Sequence, residues 1–403
     1  MSLLHPQIPD SELPAAQILL GPGAEPFLVS ALEAMGSRLR SYQVSQVRYV
    51  PARSVTVQYR ADVITGAGRP EQTTLVAASG IRTPDEVPVF AADGLEIAFW
   101  QFPNDPFLPG LAAATDDNRV SDLLERLGAP REPVKVRVRA YRAGRRAVVE
   151  ASGKSHRIFL KVIRPEKTAA LQLAHTSLAD YVPVPHTFGW SRELGIVALQ
   201  AMAGRTLRAA LTARSKSVPG GPDFVALLDL FPEPGDTAGK VAGQHERAAE
   251  HVRLLTAVAP GLAPRIEAIV DRVGSLATGP RSAVHGDFHS SQVLVDGETV
   301  VGLVDVDTAG VGERADDLAG LLGHLATLAL DSRAQRNLER YGVALINDFD
   351  RRTDPVGLRL RVAGVVLGLA TGPFRVQLPR WPKDTERRVA LAESWVASAD
   401  AIS

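Results

Sequence analysis

The chain contains no cysteine, which excludes disulfide staples and thiolate metal sites. It carries no net charge, since 45 Lys and Arg balance 45 Asp and Glu. A protein whose main partner is nucleic acid carries a basic excess, so this balance argues against that class. No apolar run approaches the length of a bilayer crossing, and no membrane span is expected. The opening segment MSLLHPQIPDSEL has neither a basic start nor a long apolar core. A secretory leader is therefore not expected, and the cytoplasm is the expected compartment. What remains is 403 residues, 45% hydrophobic and 22% charged, the composition of an ordinary globular protein long enough for two or three lobes.

Strand patterns dominate the first half. Val47 to Tyr59, Thr73 to Ala78 and Leu95 to Phe102 are rich in β-formers, and a Pro-rich stretch from Phe102 to Gly110 ends this block. A short helix fits Asn118 to Leu127. A second strand block follows, with Val136 to Ala151 as a hairpin turning at Ala143-Gly144 and Arg157 to Ile163 as a buried strand. Thr168 to Ala179 fits a helix, Pro183 to Trp190 a loop or edge element, and Gly195 to Ala201 another strand. Beyond Gly204 the pattern turns helical over Leu207 to Thr212, Gly243 to Val258, Pro264 to Leu276, Leu318 to Ala329, Ser332 to Arg351, Pro355 to Ala370 and Thr385 to Ala401. The segments 217–222 and 232–236 read as loops. Tyr49-x₃-Arg53-x₃-Val57 matches Tyr141-x₃-Arg145-x₃-Val149. Two readings of that match stand: an internal repeat, or two independent amphipathic hairpins.

The most informative segment is His285-Gly286-Asp287-Phe288-His289-Ser290-Ser291-Gln292, with Asp305 thirteen residues beyond Gln292. An Asp, an amide five residues on and a second Asp after a short apolar strand is the layout of a phosphoryl-transfer site. The first Asp takes the acceptor's proton, and the amide oxygen and second Asp suit a hard cation. The competing reading is a hairpin with turn carboxylates followed by an Asp-capped helix. Lys161 sits among apolar residues in Phe159-Leu160-Lys161-Val162-Ile163, where a lysine needs a reason. It is either the lysine that holds nucleotide phosphates or an edge-strand lysine facing solvent. Gly144, in the turn Ala143-Gly144-Arg145-Arg146, marks either a phosphate-covering hairpin working through its backbone amides or a plain β-turn. Gly153-Lys154-Ser155 lacks the earlier glycine of a phosphate-binding loop and reads as a hairpin turn.

The stretch from Val284 to Leu322, with His285-Gly286-Asp287, Gln292, Asp305-Val306-Asp307, Gly312 and Asp317-Leu318-Ala319 in order, resembles the aminoglycoside phosphotransferase and choline kinase-like family. The amide is Gln rather than Asn, as in maltokinase-like and glucosamine kinase-like branches. Being one methylene longer, it requires the metal or the loop to shift.

The resemblance implies an α+β, two-lobed protein kinase-like fold. Residues 1–130 would form an N-terminal cap region, a candidate pseudo-copy of the small lobe. Residues 131–203 would form the nucleotide-binding small lobe and 204–403 the helical large lobe. It further implies ATP and Mg²⁺ as cofactors, Asp287 as the catalytic base, Gln292 and Asp305 as metal ligands and Lys161 as the phosphate lysine. Gln200 and Met202 would form the adenine-holding hinge, and a strand-to-helix connection is the alternative there. His285 would brace the metal loop and Asp317 cap the helix at Leu318 while tying the loops together. Asp307 would reach a second metal or the acceptor. His289 reads as a surface residue. The family's glutamate partner for the lysine is missing between Thr168 and Ala179, leaving Gln172, His175 and Glu166 as polar candidates.

The expected activity is phosphorylation of a hydroxyl on a small molecule, a sugar or amino sugar. The alternatives are an aminoglycoside antibiotic phosphotransferase and a nucleotide-binding pseudokinase. Between residues 351 and 395 eight arginines, Arg375 among them, face only Asp354, Asp384, Glu386 and Glu393, which disfavours a polycationic acceptor. Trp381 either stacks on a sugar face or packs a helix start.

Overall fold

The computed structural model describes residues 10–92, 94–233 and 239–403. The first nine residues, on which the leader reading partly rests, and residues 234–236 of the expected loop lie outside the described residues.

Two five-stranded antiparallel sheets follow one another. The first comprises β1 Arg38–Val50, β2 Ser54–Ile64, β3 Pro70–Ser79, β4 Val89–Ala92 and β5 Leu95–Gln101, in the order β1-β2-β3-β5-β4. The second comprises β6 Lys135–Arg142, β7 Arg146–Ser152, β8 Arg157–Ile163, β9 Thr187–Ser191 and β10 Ile196–Gln200, in the order β6-β7-β8-β10-β9. The topology is the same.

The matched sequence positions are also structurally equivalent. Tyr49 pairs with Val55 as Tyr141 pairs with Ala147. Tyr49 and Ala52 donate to Asp10 Oδ2 at 2.6 and 2.8 Å, and Tyr141 and Gly144 donate to Asp105 Oδ2 at 2.8 and 2.7 Å. Ala52 and Gly144 share the left-handed backbone, with φ of 59° and 67°. The same carboxylate–tyrosine–turn device occurs twice, which favours the repeat over two unrelated hairpins. The copies differ in function-bearing positions. Ala78 pairs with Thr56 in the first sheet where Lys161 pairs with Val148 in the second.

Period-2 burial explains both sheets. Val55, Val57, Tyr59, Ala61 and Val63 of β2 pack on the helices Ala15–Leu20 and Ala24–Ala34 through Leu19, Leu28 and Leu32. Val76, Ala78, Ala98 and Trp100 face the other way, toward Ala143 and Tyr141 of the second sheet. Leu108, Leu111, Val120 and Leu124 join Val149, Leu160 and Ile196 in the core of the second sheet. The expected boundary at residue 130 therefore lies inside this core, and the change of core comes near residue 102.

The helical part closes around Leu318, Leu322 and Leu325 of the helix Arg314–Asp331 and Val362, Ala363 and Val366 of the helix Pro355–Leu369. Contrary to the expectation that no run reaches membrane-span length, Pro355–Arg375 does so by length and hydropathy. With 67% of its window buried inside the protein, it is a core segment whose Arg359 and Arg361 are spent inside the fold, on Asp350 and Glu313. The first sheet is not a free appendage. Its core cluster includes Leu254, Val258, Phe374 and Trp381 of the helical part, and Tyr49 meets Phe374 edge-on at 6.4 Å between centroids.

Candidate active site

Short strands frame the chemistry. β11 Arg205–Thr206 pairs with β13 Val293–Asp296, which pairs with β14 Thr299–Leu303. β12 Arg281–Val284 pairs with β15 Gly310–Glu313. Residues 285–292 join β12 to β13, and residues 304–309 join β14 to β15, so two tight loops from adjacent sheets carry Asp287, Gln292, Asp305 and Asp307.

Asp317 holds this arrangement. It lies within the first turn of Arg314–Asp331, but its carboxylate does not cap that helix. It accepts from His285 N at 2.7 Å and Gly286 N at 2.9 Å. Burial raises its pKa, opposed by His285 and those two amides. His285 Nε2 donates to Val304 O at 3.1 Å, and its carbonyl accepts from Thr308 at 3.0 Å. His285 thus bonds to residues 304 and 308 of the second loop.

Lys161 lies on the central strand β8 and is 8% exposed, which removes the solvent-facing alternative. Its ammonium donates to Asp305 at 2.7 Å and also to Asp307. Its partners are therefore these two carboxylates rather than a side chain of the following helix. His175, on that helix, is nevertheless buried near it. Desolvation, with Lys161 adding to it, lowers the His175 pKa to about 4, so the imidazole is neutral at pH 7.

Gln292 Nε2 donates to Asp305 Oδ2 at 3.1 Å. The amide orientation follows its partner, and turned over it presents oxygen beside two carboxylates. Asp305 itself has left-handed backbone, φ 64°. Burial pushes its pKa up, but Lys161, Arg146 and the hydrogen bonds from Lys161 and Gln292 hold it at about 2. Two carboxylates and an amide form an oxygen-rich donor set that fits a hard cation, and the Lys161 ammonium compensates their charge.

Asp287 stands apart, with 48% of its side chain open on a cleft of about 330 Å³. His289, expected at the surface, is inside. Its ring stacks on His324 at 4.1 Å, approaches Gln292 Nε2 at 3.3 Å and lies 3.9 Å from Asp287. Desolvation lowers both histidine pKa values, that of His324 to about 3. The other acids of the cleft are committed: Glu313 and Asp316 to Arg361, and Asp317 to backbone amides.

Gly144 does not fit its expected part. The amides of Ala143, Gly144 and Arg145 already donate to Gln58, Asp105 and Arg142, so the turn has none to offer a phosphate. Gln200 N donates to His186 O and Ala201 N to Arg157 O. Met202 packs against Gly302, where a Cβ would lie 2.7 Å from the Met202 methyl. Trp381 is 4% exposed and packs on Phe374 at 5.2 Å. It starts its helix and does not line the cleft.

A strand-built lobe bearing a buried lysine, set against a helical lobe bearing two acidic loops, is the kinase-like arrangement, and the sequence identifies the family. Residues 138–354, more than half of the chain, match the phosphotransferase enzyme family. The chain belongs to that family and is a phosphotransferase. Among solved structures it is similar to a thermostable mutant of aminoglycoside phosphotransferase APH(4)-Ia in a ternary complex with ADP and hygromycin B. That match has 14% identity over 69% of this chain and 97% of the other, with a TM-score of 0.46. It is also similar to macrolide 2'-phosphotransferase MphH of Brachybacterium faecium (18%, 68% and 97%, 0.41). A choline/ethanolamine kinase family protein of Mesorhizobium loti is a third such structure (12%, 64% and 87%, 0.41). No curated protein matches the chain.

Proposed function

We propose that the protein transfers the γ-phosphoryl group of ATP to a hydroxyl of a sugar or amino sugar, with Asp287 as base. The observation that carries this reading is the placement of one open carboxylate, Asp287, at the edge of a cluster whose other charges are bound. His289, Gln292, Asp305 and Lys161 run from it in successive contacts of 3.9, 3.3, 3.1 and 2.7 Å. Asp287 would orient the acceptor hydroxyl and receive its proton as the oxygen bonds to the γ-phosphorus, while the bond to the bridging oxygen breaks and ADP leaves. Asp305, Asp307 and the Gln292 amide would hold Mg²⁺, which neutralises phosphate charge when bound. Lys161 would then exchange part of its contact with the aspartates for phosphate oxygens. Alignment and charge neutralisation supply the rate, with no covalent intermediate.

Support for a sugar over a polycation comes from the cleft. Its acids other than Asp287 are already paired, and Arg142, Arg247 and Arg375 line it. We also propose that the functional division of the chain runs cap, small lobe and helical lobe, with the first boundary near residue 102. Measuring ATP consumption with maltose, glucosamine, other monosaccharides, choline and aminoglycosides tests the reading. Turnover with a sugar supports it. Efficient phosphorylation of an aminoglycoside with no sugar turned over would reverse the acceptor, and nucleotide binding with no turnover of any hydroxyl compound would favour a pseudokinase.

A further inference from the structure

Four arginines from three separate parts of the chain converge beside Asp287. Arg48 lies near the end of β1 of the cap, Arg142 and Arg145 flank the tip of the β6–β7 hairpin, and Arg375 ends the short helix Gly372–Arg375 of the helical part. Arg142 and Arg375 line the cleft that contains Asp287. The same two, with Arg48 and Arg145, line an adjoining cavity of about 350 Å³ that Gln46 and Thr56 also face. The two spaces therefore form one trough running from the base toward the cap.

None of these four arginines forms an ion pair or a side-chain hydrogen bond among the described residues. That distinguishes them from Arg131, Arg265, Arg359, Arg361 and Arg387, each of which is bound to a carboxylate. All four are accessible to solvent, yet desolvation opposes the charge of Arg142, Arg145 and Arg375, and the charges acting on the last two are all other arginines. Arginine stays protonated, so the free protein holds a block of positive charge that no carboxylate pairs directly, Arg142 alone feeling the more distant charges of Asp305 and Asp287. Like charges held together favour binding of an anion, and guanidinium forks suit phosphate and carboxylate oxygens.

Building on the kinase reading, we infer that the acceptor carries an anionic substituent, a phosphate or a carboxylate, which the Arg48, Arg142, Arg145 and Arg375 cluster receives while the acceptor's hydroxyl faces Asp287. The nucleotide's own phosphates are the other anions within reach, but the trough is lined by Asp287 and by neither Lys161 nor Asp305. Arg146, by contrast, lies 3.7 and 3.8 Å from Asp305 and Asp307 and belongs to the nucleotide end. The cap thus contributes directly to acceptor recognition, and the arginines of the hairpin tip take the place of amides that Gln58 and Asp105 have occupied.

The test uses the full chain. Binding of Mg·AMP-PNP is measured first, then phosphoryl transfer from ATP to glucose, glucosamine, glucose 6-phosphate, glucosamine 6-phosphate and glucuronic acid, for wild type, Arg48→Gln and Arg375→Gln. The expected result is a kcat/KM for an anionic sugar at least about tenfold above its neutral counterpart, since charge-assisted bidentate contacts are worth that much. Each substitution should erase most of that preference by raising KM, with Mg·AMP-PNP affinity within about twofold of wild type. The phosphorylated sugars and glucuronic acid separate phosphate from carboxylate. Neutral sugars turned over as well as anionic ones, or turnover of none of the anionic sugars by a protein that binds Mg·AMP-PNP, would overturn the inference. Equal loss of nucleotide and anionic sugar binding in the variants would also overturn it, because the cluster would then serve ATP. Failure of the wild type to bind Mg·AMP-PNP would instead refute the kinase reading itself.

Discussion

Lys161 and Asp305 are mutually dependent, since each is mostly buried and Lys161 is the cation nearest Asp305. Asp305→Ala is expected to weaken Mg²⁺-dependent nucleotide binding by about tenfold or more, because even indirect partners of a metal ligand contribute about that much. Gln292→Asn keeps the amide on a shorter stem and is expected to be milder. Calorimetric titration of Mg·ATP into both variants checks the ordering, and unchanged affinity in Asp305→Ala removes it from the metal site.

Asp316 gives a pH signature. Burial raises its pKa to about 6, with Arg361 opposing and Glu313 adding. A carboxyl raised on folding binds more protons in the native than in the unfolded state, so its contribution to stability falls as pH rises from about 4 to about 6. Asp316→Asn is expected to flatten that part of the stability–pH curve by an order of 2 kcal/mol, read by chemical denaturation at several pH values. A slope identical to wild type would contradict the assignment.

Asp287, Gln292 and Asp305 were legible in the sequence through their spacing along one short stretch, and Lys161 through its place among apolar residues of a strand. His324 was not, because it sits on a helix far from the motif and only tertiary packing brings it near. His289 looked exposed because a local pattern says nothing of the ring that will stack on it.

At the scale of elements, the aspartate–tyrosine–turn device predicts a local weakness. Asp105→Ala leaves the Tyr141 hydroxyl and the amides of Phe107 and Gly144 without their acceptor. It is expected to cost about 2 kcal/mol or more, since unsatisfied buried donors are expensive. Denaturant titration measures this, and a loss below about 0.5 kcal/mol would show the device to be dispensable.

The long, strongly periodic helices were legible, as were β8 and the β6–β7 hairpin. The helices Ala15–Leu20 and Ala24–Ala34 were not, because they are short, separated by Gly-Pro-Gly and led by Pro14 and Gly23 rather than by capping side chains. Gly221–Asp229 hid behind its Gly-Pro start. Val47 to Tyr59 reads as one strand because the turn between β1 and β2 has no glycine. Ala52 holds the left-handed position there only because Asp10, about forty residues away in sequence, binds its amide.

Across the whole molecule, the zero net charge conceals a strong local asymmetry. Charge counting between residues 351 and 395 pointed away from a polycation, but of those eight arginines only Arg375 lines the cleft. Several of the rest are paired elsewhere, as Arg351 is with Asp348, Arg359 with Asp350 and Arg387 with Asp331. Linear composition could not locate a trough assembled from β1, a hairpin tip and a short helix.

The same assembly makes the cap indispensable. Deleting the first 130 residues uncovers Leu254, Val258, Phe374 and Trp381 and also removes Leu108, Leu111, Val120 and Leu124 from the second sheet's core. Exposed apolar area of that kind promotes aggregation, so the truncated chain is expected to be insoluble or inactive. A soluble truncation that turns over normally would refute this.

The central claim is that Asp287 is the base of a phosphoryl-transfer site. It is tested most directly by following labelled γ-phosphate from ATP into the sugar panel with wild type and Asp287→Asn at matched Mg·ATP occupancy. The account predicts label in a sugar product with the wild type. With the variant it predicts nucleotide affinity nearly unchanged and turnover lower by about a hundredfold or more, the usual worth of a general base. Equal turnover by the two proteins would contradict it.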